Sequence, residues 1–217
     1  MKTLRQHINE WKVSDQSILN IDIKQFFVYN IKAFDHINIF NDDWPQYFDY
    51  QNNVYDIYGN NVELYRGCTV KRYKPGIHKF YIKDIDNIVN CKFMFCRCRE
   101  LEYVPCFDTT KVAIMESMFN ECKSLKEVPT FNTGRVTNMA YMFRCCENLI
   151  NVPKFNTEKV ITMHAMFLGC KQLENVPEFN LAKIKDNAYM FGACHNLNKK
   201  TKLTWIKILH DSCDTII

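Results

Sequence analysis

Glycine is scarce in this chain, with only six in 217 residues, and proline is equally rare at six. A loop that cradles phosphate needs glycines close together, so such a site is hard to build here. No G-x-S-x-G, H-E-x-x-H or Walker-type string occurs, and the six histidines are scattered. Long apolar runs are missing too. The most apolar early stretch, Ser17 to Phe34, carries Asp22, Lys24, Gln25 and Asn30, so no membrane span is expected. Met1 to Gln16 holds Arg5, His7, Glu10, Lys12 and Asp15 where a signal peptide needs an apolar core. No signal peptide is therefore visible, and as it stands the chain reads as cytoplasmic or virion-associated. Nor is there a large excess of one charge. A net charge of +4 is too small to argue for nucleic acid by itself. Apolar residues are plentiful: 47% hydrophobic and 14% aromatic residues are enough for a core, which excludes wholesale disorder.

The dominant feature is a 24-residue repeat without insertions. Met-Phe recurs at Met94-Phe95, Met118-Phe119, Met142-Phe143, Met166-Phe167 and Met190-Phe191. Each Met is followed four residues later by Cys98, Cys122, Cys146, Cys170 or Cys194, and three further on by Leu101, Leu125, Leu149, Leu173 or Leu197. Val-Pro then recurs from Val104-Pro105 to Val176-Pro177, and Phe107, Phe131, Phe155 and Phe179 precede Asp108, Asn132, Asn156 and Asn180. Val112, Val136, Val160 and Ile184 close the pattern. Eight of the nine methionines fall in this register, which chance does not produce. A unit this short cannot bury its own apolar residues, so neighbouring units must stack.

Within a unit, Leu125 to Val128 reads as a short strand ended by Pro129. Phe131-Asn132-Thr133-Gly134 reads as a turn. Met139, Met142, Phe143 and Cys146 have the i, i+3, i+4, i+7 spacing of a short helix, with Thr137 or Asn138 as its cap. The Asn/Asp column is expected to hydrogen-bond turn backbone in neighbouring units. The fold class expected is an α/β repeat solenoid, right-handed and like a short leucine-rich repeat, with about five coils over residues 81–198. Phe80 to Asn90 reads as a degenerate first unit, with Asp84, Ile88 and Cys91 in its columns. Residues 1–80 should form a small α+β head, with helix over Met1 to Trp11 and helix or strand over Ser17 to Phe34. The aromatics of Asp42 to Gly59 (Trp44, Tyr47, Phe48, Tyr50, Tyr55, Tyr58) should pack on the first coil or else form a recognition surface for sugar or peptide. Residues 199–217 should hold a capping helix, with Trp205, Ile208, Leu209 and Cys213 on one face of Thr204 to Asp214.

Two surface columns are candidates for binding. The pairs Glu102-Tyr103, Lys126-Glu127, Ile150-Asn151 and Glu174-Asn175 lie between buried columns on the strand side and differ from unit to unit, as a specificity surface would. Lys111, Arg135, Lys159 and Lys183 share one position before the Val/Ile column. They form a stripe suited to an anionic polymer or else a solvated row of long stems. Residues 1–90 carry 11 charges of each sign, so the basic excess lies on the repeats. The cysteine column should point inward as reduced thiols. Cys91, Cys96, Cys98 and Cys106 lack zinc-ribbon spacing, so no metal is expected.

The string FNTGRVTNMAYMFRCCENLINVP, Phe131 to Pro153, resembles the repeats of BspA-like leucine-rich-repeat proteins. The shared pattern is V-T-N-M-x-x-M-F-x-x-C-x-x-L-x-x-[VI]-P-x-F-[ND]-T, and the resemblance covers residues 84–197. It implies a leucine-rich-repeat solenoid and a surface role in binding host matrix proteins or other cells. The expected function is a non-enzymatic protein-binding module, with no catalytic residues and no cofactor. The rival readings are an unexported intracellular or phage-encoded interaction protein, and an enzyme with its site in the head.

Overall fold

The computed structural model of the chain describes residues 26–33, 35, 37–41, 53–56, 60–66, 68–69, 71–83 and 85–210. The expected helix over Met1 to Trp11, column residue Asp84, and Trp44, Tyr47, Phe48, Tyr50 and Tyr58 lie outside them.

The 24-residue period becomes a stack of units in register. Parallel bridges join Asn90 to Ile114, Ile114 to Asn138, Asn138 to Thr162 and Thr162 to Asp186. The N–H groups of Met115, Ser117, Phe119 and Glu121 donate to the carbonyls of Asn138, Ala140, Met142 and Arg144 in the next unit, at 2.8–3.0 Å. Met139, Tyr141, Phe143 and Cys145 repeat the set one unit on. The intervening N–H groups of Met118, Asn120 and Cys122 instead donate three residues back, to Met115, Ser117 and Phe119. Alternate residues thus join units and close turns, so the buried backbone donors of this segment are satisfied.

This pattern corrects the expected short helix. The segment through Met139, Met142, Phe143 and Cys146 is a chain of tight turns. Its reversals are left-handed residues four apart: Ser117 and Glu121 (φ 54 and 61°), then Tyr141 and Cys145 (φ 58 and 57°). A helix would direct every N–H back along its own axis, leaving none for a neighbouring unit. Both arrangements bring positions i, i+3, i+4 and i+7 to one side, and Met139, Met142, Phe143 and Cys146 are indeed all 0% exposed. The expected strand is also reduced. Leu101–Tyr103 forms one (β6, below), but Leu125 to Val128 has no regular structure.

Inside the stack, Phe95, Phe119, Phe143, Phe167 and Phe191 form a ladder with centroids 5.5–5.7 Å apart and planes within 9° of parallel. Phe131 and Phe155, from the second Phe column, lie 6.1 Å from Phe119 and Phe143. Burying each such ring contributes about 1.5–3 kcal/mol. The thiols of Cys122, Cys146, Cys170 and Cys194 donate to the carbonyls of Phe95, Phe119, Phe143 and Phe167 one unit back, at 2.9–3.0 Å. The Asn/Asp column works differently from the expected cross-unit bonding. Asn132, Asn156 and Asn180 accept the N–H two residues on in their own turn, from Gly134, Glu158 and Ala182. The link between units comes from the next residue: the hydroxyls of Thr109, Thr133 and Thr157 donate to the carbonyls of Asn132, Asn156 and Asn180.

The head closes the first unit. Strands β1 (Phe26–Ile31), β2 (Val54–Asp56), β5 (Gly76–Ile82) and β6 (Leu101–Tyr103) form an antiparallel sheet in the order β2-β5-β1-β6. A hairpin of β3 (Leu64–Tyr65) and β4 (Cys68–Thr69) is separate. Because β6 belongs to the first unit, head and stack share one sheet, with Phe27 opposite Phe80 and Val28 opposite Tyr103. Ser17 to Phe34 is therefore strand over residues 26–31. Tyr55 lies in β2; among the described head rings, Phe27 lies 5.3 Å and Phe40 5.8 Å from Phe95 of the first unit. Residues 39–41 take the place of a preceding unit. Phe40 continues the ring ladder, the Ile39 carbonyl accepts the Cys98 thiol, and the Asn41 N–H donates to Met94 at 3.0 Å.

Helix α1, Lys199–His210, closes the other end and starts before the expected Thr204. Asn198 caps it by accepting the Thr201 N–H at 2.8 Å. Trp205 is buried 5.7 Å from Phe179 and 5.3 Å from Phe191, the last rings of both ladders. Cys213 lies outside the described residues.

Candidate functional site

The strand-side pairs do not form one continuous open face. Glu102 is buried, accepts a hydrogen bond from Asn30 at 3.0 Å and lies 3.7 Å from Lys126. Tyr103 is half-buried in β6, paired with the head. This first pair is covered by β1. Lys126, Glu127, Ile150, Asn151, Glu174 and Asn175 are all exposed. Backbone bonds hold them in register: Ile150 N–H to Lys126 carbonyl, Glu174 to Ile150, and Asn198 to Glu174, at 2.9–3.1 Å. An amide ladder runs alongside. Asn175 donates to Asn151 at 3.1 Å and Asn198 donates to Asn175. Ile150, 39% exposed, is the large apolar side chain on this face. The face can offer an apolar contact flanked by amides and charges, in a frame that needs no ordering.

The basic column occupies a second edge. Val112, Val136, Val160 and Ile184 each donate a backbone N–H three residues back, to Thr109, Thr133, Thr157 and Leu181. Each bond closes a β-turn, so Lys111, Arg135, Lys159 and Lys183 all sit at the third position of a corner. All four are exposed, and none makes an ion pair among the described residues. Several other surface cations are paired across units. Lys92 lies 3.1 Å from Glu116, Arg97 and Arg99 lie 3.7 and 2.9 Å from Glu121, and Lys123 and Lys171 lie 2.7 and 2.8 Å from Glu147. The hydrogen bonds from Lys123 and Lys171 hold the Glu147 carboxyl down at about 2. Near the corners, an open groove of about 530 Å³ separates the segment Lys154 to Glu158 from Glu178 to Asn180.

One cluster escaped the sequence reading. His164 lies between Tyr141, 5.1 Å away in the preceding unit, and Tyr189, 5.8 Å away in the next. Its Nδ1 is 3.0 Å from Asp186. The 24-residue spacing of Asp186 from Thr162, two residues before His164, was the available signal. Among the described residues, no group of three His, Cys, Asp or Glu could hold a metal ion, and no helix is long and apolar enough to cross a membrane.

The inward cysteines are shielded. Burial pushes the thiols of Cys91 and Cys194 up to about 12, and those of Cys122, Cys146 and Cys170 upward as well. Cys106 is exposed and Cys145 is half-buried.

Residues 89–205, just over half of the chain, match the family described as Mycoplasma protein of unknown function, DUF285. The chain belongs to this family. The span that DUF285 covers runs from the start of the stack at Val89 to its closing ring at Trp205, and includes both surface columns. No curated protein and no solved structure matches the chain.

Proposed function

We propose that the chain is a non-enzymatic binding module, a short right-handed solenoid of leucine-rich-repeat type related to BspA-like surface proteins. It would act in surface adhesion or protein–protein interaction. The binding face is Lys126, Glu127, Ile150, Asn151, Glu174 and Asn175. The observation that supports this most is the run of inter-unit backbone bonds through Lys126, Ile150, Glu174 and Asn198, which fixes these side chains before any partner arrives. A partner then meets a surface that loses little conformational freedom on binding. An exposed apolar centre inside a polar rim is also the arrangement that concentrates binding energy. Glu102 and Tyr103, which the head covers, are left out of the face.

A photo-crosslinking residue placed at Ile150, and separately at Ile161 in the Val/Ile corner region, tests the assignment in the native source. Both positions are exposed, at 39% and 43%. The expected result is a discrete adduct with one protein from position 150 and none from 161. Equal labelling from both positions, or none from 150, would contradict it.

A further inference from the structure

We propose that the corner-turn cations Lys111, Arg135, Lys159 and Lys183 form a track for a linear anionic polysaccharide, separate from the protein-binding face and independent of that reading. Three observations support it. First, five other cations of the stack are used structurally, while Arg144, Lys154 and Lys185 make no ion pair among the described residues. Lys92, Arg97, Arg99, Lys123 and Lys171 each meet a carboxylate from a neighbouring unit. At the corners the four cations make no ion pair among the described residues, and Asp108, beside Lys111, is the one acid in the Asn/Asp column of these four corners. Four like charges stand in a row at one-unit spacing, an arrangement that costs free energy unless an anion neutralises it. With units about 4.8 Å apart, the four tips span about 14 Å.

Second, the corners offer hydrogen-bond donors beside the charges. Asn132, Asn156 and Asn180 are exposed and use Oδ1 to accept from their own turns. Their Nδ2 groups have no acceptor among the described residues, so each of these three corners pairs a cation with an unused amide donor. Sulfate and carboxylate oxygens, which only accept, fit such a row.

Third, the neighbours favour a glycan over other polyanions. The second position of the four corners holds Thr110, Gly134, Glu158 and Ala182, none of them aromatic. Single-stranded nucleic acid is held by rings on which bases stack. Among the described residues, the exposed tyrosines are Tyr65 in β3 and Tyr189 beside His164, and neither is at the corners. An acidic protein needs a desolvated aromatic or apolar anchor, and among the described residues Ile161, next to Val160, is the one large exposed apolar side chain beside the corners. Carboxylates stand beside the track at Asp108, the Asn/Asp-column residue that interacts with Lys111, and at Glu158, next to Lys159.

The test is binding of a size-defined heparin oligosaccharide to the full chain across a salt series, with polyglutamate and a single-stranded oligonucleotide of equal charge as competitors. K111Q/K159Q removes half of the track. K71Q/K74Q removes the same charge from exposed head positions. Melting curves of both variants establish that they fold. The expected result is a loss of about tenfold for K111Q/K159Q at low salt, with the slope of log K against log salt roughly halved. K71Q/K74Q should change affinity by less than about twofold. Equal losses from the two variants, no heparin binding by the unaltered chain, or tighter binding of either competitor would overturn the proposal.

Discussion

Phe143→Ala should lower stability by about 3–5 kcal/mol, the range for emptying a fully buried aromatic site. For a chain of this length that is a fall in melting temperature of about 10 °C. The effect should sit at the top of the range because the ring is held on several sides. Phe119 and Phe167 stack on its faces at 5.6 and 5.7 Å, and Phe155 lies 6.1 Å away. The neighbouring rings are pinned by backbone bonds between units, from Phe119 to Met142 and from Phe143 to Met166, so they cannot collapse into the void. Ile161→Ala, at a position 43% exposed, should change stability by no more than about 0.5 kcal/mol. Melting curves of the two variants check both. A shift for Phe143→Ala no larger than that for Ile161→Ala would mean that the ladder carries little of the stability.

The second large effect is expected in alkali. Burial raises the folded-state thiols of Cys91 and Cys194 from 9.0 to about 12 and shifts Cys122, Cys146 and Cys170 in the same direction. Below pH about 9 these thiols are protonated in both states, and their contribution is fully present. Above it the unfolded chain releases protons that the folded chain keeps, so stability falls as pH rises toward the folded values. The loss is about 1 kcal/mol for each thiol at one pH unit above the unfolded value. Five such thiols together amount to several kcal/mol, a large share of the stability of an ordinary domain. Melting temperature should therefore drop steeply between pH 8 and pH 10. Cys146→Ala with Cys170→Ala should flatten that drop while leaving a folded, less stable protein. At pH 8 a thiol reagent should label exposed Cys106 well before Cys146. A flat profile, or equal labelling of the two, would show that the column is accessible to water.

The same columns show where the sequence could be read and where it could not. Strict spacing of Met, Phe, Cys, Leu and Val at 24 residues requires the units to stack and those side chains to face inward, and each is buried as expected in the central units. Helix and turn could not be separated from that pattern, because both bring i, i+3, i+4 and i+7 to one side. The usual sign of left-handed backbone is glycine. In these columns only Gly169 carries it, while Ser117, Tyr141, Ala165 and Tyr189 adopt the conformation without it. Their strain is tolerated because each of Ser117, Tyr141 and Ala165 donates its N–H to the next unit.

The surface was legible in position but not in context. Lys111 and its equivalents could be placed in one column, yet the corner turns that expose them depend on the Thr-to-Val backbone bonds. Glu102 belongs to the strand-side column by spacing, but Asn30 and Lys126 engage it, and Asn30 comes from a segment with no repeat register. For the same reason residues 39–41 could not be recognised as a substitute for a missing unit. The imitation lies in a ring and two backbone groups, which leave no periodic trace in the sequence.

The central claim is that residues 24 apart are stacked neighbours along one axis. Nuclear Overhauser effects between site-assigned phenylalanine rings test it most directly. The account predicts strong contacts from Phe143 to Phe119 and Phe167, whose centroids lie 5.6 and 5.7 Å away, and none to Phe95 or Phe191, two units removed. A Phe143 ring without contact to either neighbour, or with equal contact to Phe95, would contradict the stack.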